Sequence, residues 1–251
     1  MAGHSKWANI KHRKQAADAK RGKIFTRLAK EITVSAKLGG GDENSNPRLR
    51  AAILKARESN VPKDNIERAV KKGTGELESD NYEELVYEGY APGGIAIIIE
   101  VLTDKKTRTV PEIKNILSKA GGSMAESGSV SYLFDHKGVI LIKGENINEE
   151  ELLEQVVECG AEDFEKDEEN IYVIKSAKED FHAVLEAFYK IIETKGWEIL
   201  ESELQYVPKT QIALDVDKGG AVMKLIENLE NHDDVQNVFS NLEISEELIS
   251  G

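Results

Sequence analysis

The sequence predicts an α+β multidomain protein: an N-terminal helical bundle plus two α/β-sandwich domains, one ferredoxin-like and inserted into the other. Three observations lead there. The first third places apolar residues at helical spacing. Residues 138–207 carry the order β-α-β-β-α-β, the ferredoxin-like arrangement. An unfinished β-α-β stands on either side of that unit, so the two flanks are expected to complete one split domain. The reading gives a basic helical domain at 1–78, a discontinuous α+β domain at 79–135 and 208–246, and the inserted domain at 136–207.

Charge marks the same first boundary. The chain of 251 residues is acidic overall, with a formal net charge of −13. Residues 1–75 nevertheless hold 18 Lys and Arg against 7 Asp and Glu, leaving 15 against 39 for the rest. A basic segment within an acidic chain points to a polyphosphate partner. The acidic remainder repels a phosphate backbone that approaches the wrong face.

The first helix is expected from about Ala16 to Leu38, on a stripe of Ile24, Leu28 and Ile32 with Phe25 and Ala36 beside it. At 100° per residue, Lys20, Lys23, Arg27, Lys30 and Lys37 fall in an arc of roughly 100°, nearly opposite that stripe. Arg21 points toward the apolar side. The arc is expected to face solvent. It has no matching acids except Glu31 at its edge, whereas a merely solubilising face mixes signs, so phosphate contact is the preferred reading. Gly39-Gly40-Gly41 stops the helix. Asn46 and Pro47 start a second one as cap and first residue. Its inner face is Leu49, Ala52, Ile53 and Ala56. Arg48, Arg50, Lys55 and Arg57 decorate its sides. A third helix opens at Asn60 and Pro62 and closes at Lys71-Lys72-Gly73. Those lysines are either helix-end stabilisers or ligands.

Before the bundle runs Gly3-His4-Ser5-Lys6-Trp7-Ala8-Asn9-Ile10-Lys11-His12-Arg13-Lys14. A tryptophan among cations can stack on a base or ribose, or Trp7 and Ile10 can fold back as a core plug. The candidate nucleic-acid contacts are therefore Lys6, Trp7, Lys11, His12, Arg13, Lys14, Lys20, Lys23, Arg27, Lys30, Lys37, Arg48 and Lys55.

After a linker at 76–81 comes Tyr87-Glu88-Gly89-Tyr90, the turn Ala91-Pro92-Gly93-Gly94 and a buried strand at 95–102. A helix at 107–120 and a strand at 129–134 follow. In the inserted unit the strands are expected at 138–143, 162–166, 171–175 and 197–207, with helices at 149–159 and 178–194. The chain ends with a strand at 211–216, a helix at 220–231 and a strand at 235–240. The connector at 121–128 is richer than a plain turn requires. Met124 and Glu126 on it are candidates for a contact loop, the alternative being a helix-ending turn.

Chemistry is conspicuous by what is missing. There is no phosphate-cradling G-x-x-x-x-G-K-[ST] loop and no G-x-G-x-x-G after a strand. The five histidines are scattered, so no metal or other cofactor is expected. The one cysteine, Cys159, reads as packing, and it fits a reducing compartment. No apolar run reaches the ~20 residues of a membrane span, and the basic start lacks the apolar stretch of a secretory signal. A cytoplasmic protein without enzymatic activity is expected. A protein-binding adaptor and an enzyme with a pocket between the acidic domains are the other classes.

The opening run Met1 to Lys14, Asp18-Ala19-Lys20-Arg21-Gly22-Lys23 and Asn60-Val61-Pro62-Lys63-Asp64-Asn65-Ile66 resemble the YebC/PmpR family. So do residues 87–94, Gly121-Gly122-Ser123-Met124 and Gly128-Ser129-Val130. The resemblance spans essentially the whole chain. It implies three domains, cytoplasmic location, no enzymatic activity and a role in gene expression. The family is described as probable DNA-binding transcriptional regulators, and it is similar to the mitochondrial translational activator of cytochrome oxidase. DNA and ribosomal RNA therefore both stand as the partner of the basic third. Lysine-rich faces favour phosphate over base edges, and the acidic domains suit a protein partner.

Overall fold

In a computed structural model, which describes residues 18–144, 146–167, 170–245 and 247–248, the chain is α+β. Seven α-helices stand among the described residues, with two four-stranded antiparallel sheets. The described residues form two compact units, one of residues 18–130 with Asp215–Ser240, the other of Ser131–Leu214 with the described residues of 241–248.

The first unit begins with a three-helix bundle: α1 (Asp18–Gly39), α2 (Pro47–Glu58) and α3 (Lys63–Thr74). Its core is the expected stripe, with Leu28, Ile32 and Ala36 meeting Leu49, Ile53, Ala56 and Ile66. Asn46 does more than cap. Its Oδ1 accepts the Leu49 amide at 3.0 Å, and its buried Nδ2 donates to the carbonyls of Ser35 and Gly40, both at 2.8 Å. One side chain thus starts α2 and ties it to two carbonyls at the end of α1. Asn46→Ala is expected to cost about 2 kcal/mol, read by denaturant unfolding.

Helix α3 runs past the expected stop at Gly73 and ends at Gly75, whose φ of 84° is the left-handed cap. Gly73 has a different role. A Cβ there would lie 2.3 Å from the Thr33 carbonyl oxygen and 2.6 Å from Ala36 Cβ. Its lack of a side chain lets α3 press against the backbone of α1.

The sheet of this unit has the order β3-β1-β2-β8, from β1 (Glu83–Ala91), β2 (Ile95–Thr103), β3 (Ser123–Ala125) and β8 (Val235–Ser240). The central β2 is buried along nearly its whole length, as its Ile-Ala-Ile-Ile-Ile run predicts. Helices α4 (Lys106–Lys119) and α7 (Val216–Glu230) pack side by side, and Leu117 of α4 lies over Gly89.

Strands β4 (Phe134–Lys143), β5 (Asp163–Lys166), β6 (Ile171–Ala177) and β7 (Glu198–Pro208) build the sheet of the second unit. Helices α5 (Glu149–Glu158) and α6 (Phe181–Lys195) complete the expected β-α-β-β-α-β order, and the strand order is β5-β6-β4-β7. Phe181 packs against Gly138, where a Cβ would lie 2.5 Å from the ring.

Three strand expectations need correction. Residues 129–134 are not a strand: Ser131–Leu133 is a 3₁₀ turn, and the strand starts at Phe134. Residues 211–216 form no strand but a single bridge from Ile212 to Leu242. Asp215 then accepts the Lys218 amide at 2.9 Å and starts α7 four residues before the expected position. Ser123–Ala125 pairs with β1 as a third strand, so Met124 lies on a strand, half-buried opposite Gly89, and Glu126 is exposed just beyond it.

Candidate nucleic-acid interface

The part of the basic face of α1 formed by Lys23, Arg27 and Lys30 does not point into open solvent. Lys23 Nζ donates to the Asn231 carbonyl at 2.6 Å, and Arg27 donates to that of Glu230. Lys30 Nζ donates to the Asp233 carbonyl at 2.9 Å and to Asp234 Oδ1 at 2.8 Å. The carbonyls of Glu230 and Asn231 terminate α7, which ends at Asn231 without a left-handed glycine, and that of Asp233 lies just beyond. The last turn of a helix leaves four carbonyls unsatisfied and carries partial negative charge. The cations spaced along α1 fill that need. The expectation that Lys23, Arg27 and Lys30 face solvent is therefore corrected. Helical periodicity reports which side of α1 is polar, but not what covers it.

Asp234 is the hub of this contact. Its side chain is 3% exposed. Beside Lys30, its carboxylate takes Arg108 Nη2 at 2.8 Å, Thr109 Oγ1 at 2.7 Å and Thr103 Oγ1 at 3.1 Å. Burial alone would raise its proton affinity. Donation from Arg108, Lys30 and Thr109 outweighs that and holds the carboxyl well below the usual carboxylate range. Nearby, the Asp234 amide donates to His232 Nδ1 at 3.1 Å, which leaves Nε2 to donate to Glu112 at 2.8 Å. Arg27 lies deep enough that burial lowers the proton affinity of its guanidinium, against the opposing pull of Glu230 and Asp233.

Arg48 is likewise engaged. Its guanidinium meets Glu31 at 2.7 and 3.1 Å and also binds Glu84, tying α2 to α1 and β1. Burial works against its charge, and the two carboxylates more than restore it. No sequence pattern announces this clamp, because Glu31 and Glu84 are 17 and 36 residues away.

Of the other candidates, Lys37 is exposed and donates to Asn81, and Lys55 is exposed in the last turn of α2. Lys20 lies in α1, its side chain outside the described residues, and Lys6, Trp7, Lys11, His12, Arg13 and Lys14 lie outside them altogether. Exposed Lys63, Arg68 and Lys71 on α3 add basic surface that the sequence reading left undecided or did not single out. The carbonyls of Lys71 and Lys72 are met by the amides of residues 75–77, so the chain itself closes α3.

Residues 121–130 lie against β1. Glu88 accepts the amides of Gly128 and Val130, and Tyr90 donates its hydroxyl to the Ser129 carbonyl at 3.1 Å. Cys159 is half-buried, and burial together with Glu158 pushes its thiol up, away from reactivity. Among the described residues no cluster of three or more His, Cys, Asp or Glu could hold a metal ion. No described helix is long and apolar enough to cross a membrane.

Comparison with known proteins agrees along the length of the chain. Residues 5–76 match the TACO1/YebC protein N-terminal domain, and residues 82–242 match the TACO1/YebC second and third domain. A relative from Treponema denticola is 53% identical over 246 residues, 98% of each chain, and is named a probable transcriptional regulatory protein. One from Geobacter sulfurreducens, under the same name, is 50% identical over 98% of each chain. The crystal structure of a conserved hypothetical protein from Aquifex aeolicus is similar with a TM-score of 0.80. It shares 43% identity, covering 91% of this chain and 93% of that one. With both family models matched in order and relatives at half identity from end to end, the chain belongs to the TACO1/YebC family.

Proposed function

We propose that this protein is a non-enzymatic, nucleic-acid-binding regulator of gene expression, acting in the cytoplasm as a DNA-binding transcriptional regulator. The observation that carries the reading is the excess of 18 cations over 7 anions in residues 1–75 of an otherwise acidic chain. The names of its relatives agree with a regulator. In this reading residues 1–78 are the nucleic-acid-binding domain. The ferredoxin-like domain at 136–207 is inserted into the domain formed by 79–135 and 208–246, and the acidic domains take a protein partner. The contacts come from the tail residues Lys6, Trp7, Lys11, His12, Arg13 and Lys14, joined by Lys20, Lys37 and Lys55. Lys23, Arg27, Lys30 and Arg48 act indirectly, by fixing the bundle on its sheet. Met124 and Glu126 form a second contact with the target.

One observation favours ribosomal RNA and a role in translation instead. The α1 face that would have entered a groove is occupied by α7, and the cations that remain are mostly lysines, suited to phosphate and not to base edges. Crosslinking in living cells, followed by sequencing of both RNA and DNA recovered with the protein, separates the two. Enriched promoter DNA supports transcriptional regulation, and dominant ribosomal RNA reads move the protein to the ribosome. Met124→Ala with Glu126→Ala is expected to lower activity with little change in thermal midpoint. A large stability loss would mean that the segment is only a connector.

A further inference from the structure

The residue that shapes the second contact is not on it. Val86, Glu88 and Tyr90 share one face of β1, the face turned away from Leu117 and α4. Val86 and Tyr90 are 46% and 36% exposed, yet Glu88 between them is only 5% exposed. What meets it is the chain after β3. The Gly128 amide donates to Glu88 Oε1 at 2.7 Å and the Val130 amide to Oε2 at 2.6 Å, one backbone donor for each oxygen. Tyr90 adds a third tether through the Ser129 carbonyl. Between them, the Ser129 amide turns back to the Glu126 carbonyl at 3.1 Å. Gly128 has φ of 87°, a geometry that suits glycine and lets the chain double back over the carboxylate.

At the other end of the segment the fit to β1 is equally close. A Cβ on Gly122 would lie 2.6 Å from the Tyr90 carbonyl oxygen, and one on Gly89 would lie 2.7 Å from that of Ser123. Residues 122–130 are therefore moulded on the Glu88-Gly89-Tyr90 segment at both ends. The amides of Gly128 and Val130 are spent inward on a buried carboxylate. An acceptor of that strength, taking two charge-assisted bonds in a shielded place, fixes a turn far more firmly than a plain connector needs.

We propose that Glu88 is a positioning residue: it holds the 126–130 turn in one conformation so that Met124 and Glu126 meet the target already ordered. The proposal rests on the reading that those two side chains face the target. Preorganisation of this kind raises affinity by removing the ordering cost from the binding step.

The test is Glu88→Gln, which keeps the shape but sets an amide nitrogen against one of the two amide donors. Amide hydrogen exchange of Gly128 and Val130 should quicken about tenfold, with other amides of β1 and β2 unchanged. Affinity for purified ribosomes or for a mixed-sequence DNA duplex, whichever the parent protein binds, should fall by a similar factor at temperatures where both proteins are folded. The penalty should vanish in a background that already carries Met124→Ala and Glu126→Ala, because a residue that acts through the loop has nothing left to position. A penalty of equal size in both backgrounds would assign Glu88 to general stability and overturn the proposal. Unchanged exchange at Gly128 and Val130 would overturn it whatever binding does. If Met124→Ala with Glu126→Ala binds like the parent while Glu88→Gln still frees the two amides, the contact reading has failed, and the positioning role falls with it. Tyr90→Phe, which deletes only the hydroxyl tether, should move both readouts in the same direction and remains usable if Glu88→Gln does not fold.

Discussion

Replacing Asp234 by alanine is expected to destabilise the unit that contains it by about 3–5 kcal/mol. The substitution leaves Lys30 buried against the α7 terminus with no carboxylate, and it strips Arg108, Thr103 and Thr109 of their common acceptor. Urea unfolding followed by circular dichroism measures the loss, and a change below about 1 kcal/mol would mean that the hub is as dispensable as a surface pair. The pH dependence follows from the same geometry. The carboxyl of Asp234 is held below its unfolded value, so its contribution is complete above roughly pH 4–5 and is lost as acid drives the pH down through the folded value. The parent should therefore lose stability steeply on acidification, and Asp234→Asn should do so less steeply. The gap between the two closes toward low pH.

Reversing Lys6, Lys11, Arg13 and Lys14 to glutamate is expected to abolish nucleic-acid binding at physiological salt. If each of the four neutralises one phosphate, the slope of log K against log salt should fall in magnitude by about 3 to 4 on charge removal alone. Neutral glutamine variants, which still bind weakly, let that slope be read by titration at several salt concentrations. Binding equal to the parent would remove the tail from the interface. The contrast with α1 is instructive. Reversing Lys23, Arg27 and Lys30 should first cost stability, since each new carboxylate would face α7 carbonyls or Asp234.

Much of the architecture can be read from local signals. Asn46 and Pro47 mark a helix start because capping chemistry is confined to a few neighbouring residues. The apolar run of β2 and the stripes of α1 and α2 record burial directly. The misses have physical causes. Strand β1 alternates too faintly to stand out, with glutamates at 83, 84 and 88, one of which is buried for a reason supplied 40 residues later. Alternation of Ile212, Leu214 and Val216 imitates a strand, while the informative residue was Asp215, a helix cap lying among them. The site was the least legible part. A row of lysines looks the same whether its partner is a phosphate or the carbonyl end of another helix.

That last contact has a consequence for how the chain is made. Lys23 and Arg27 find their acceptors 208 and 203 residues further on. Synthesis runs from the N-terminus, at roughly 5–20 residues per second, and domains tend to fold as they emerge. For most of its manufacture the chain therefore carries a complete three-helix bundle whose Lys23, Arg27 and Lys30 still lack their acceptors at 230–234. Only when the stretch around 230–234 clears the ribosome does that surface close. A product that terminates before residue 230 would keep it open, adding three unspent charges to a basic segment, and would cling to any polyanion without discrimination. The last tenth of the protein thus decides when a basic surface near its start stops being adhesive.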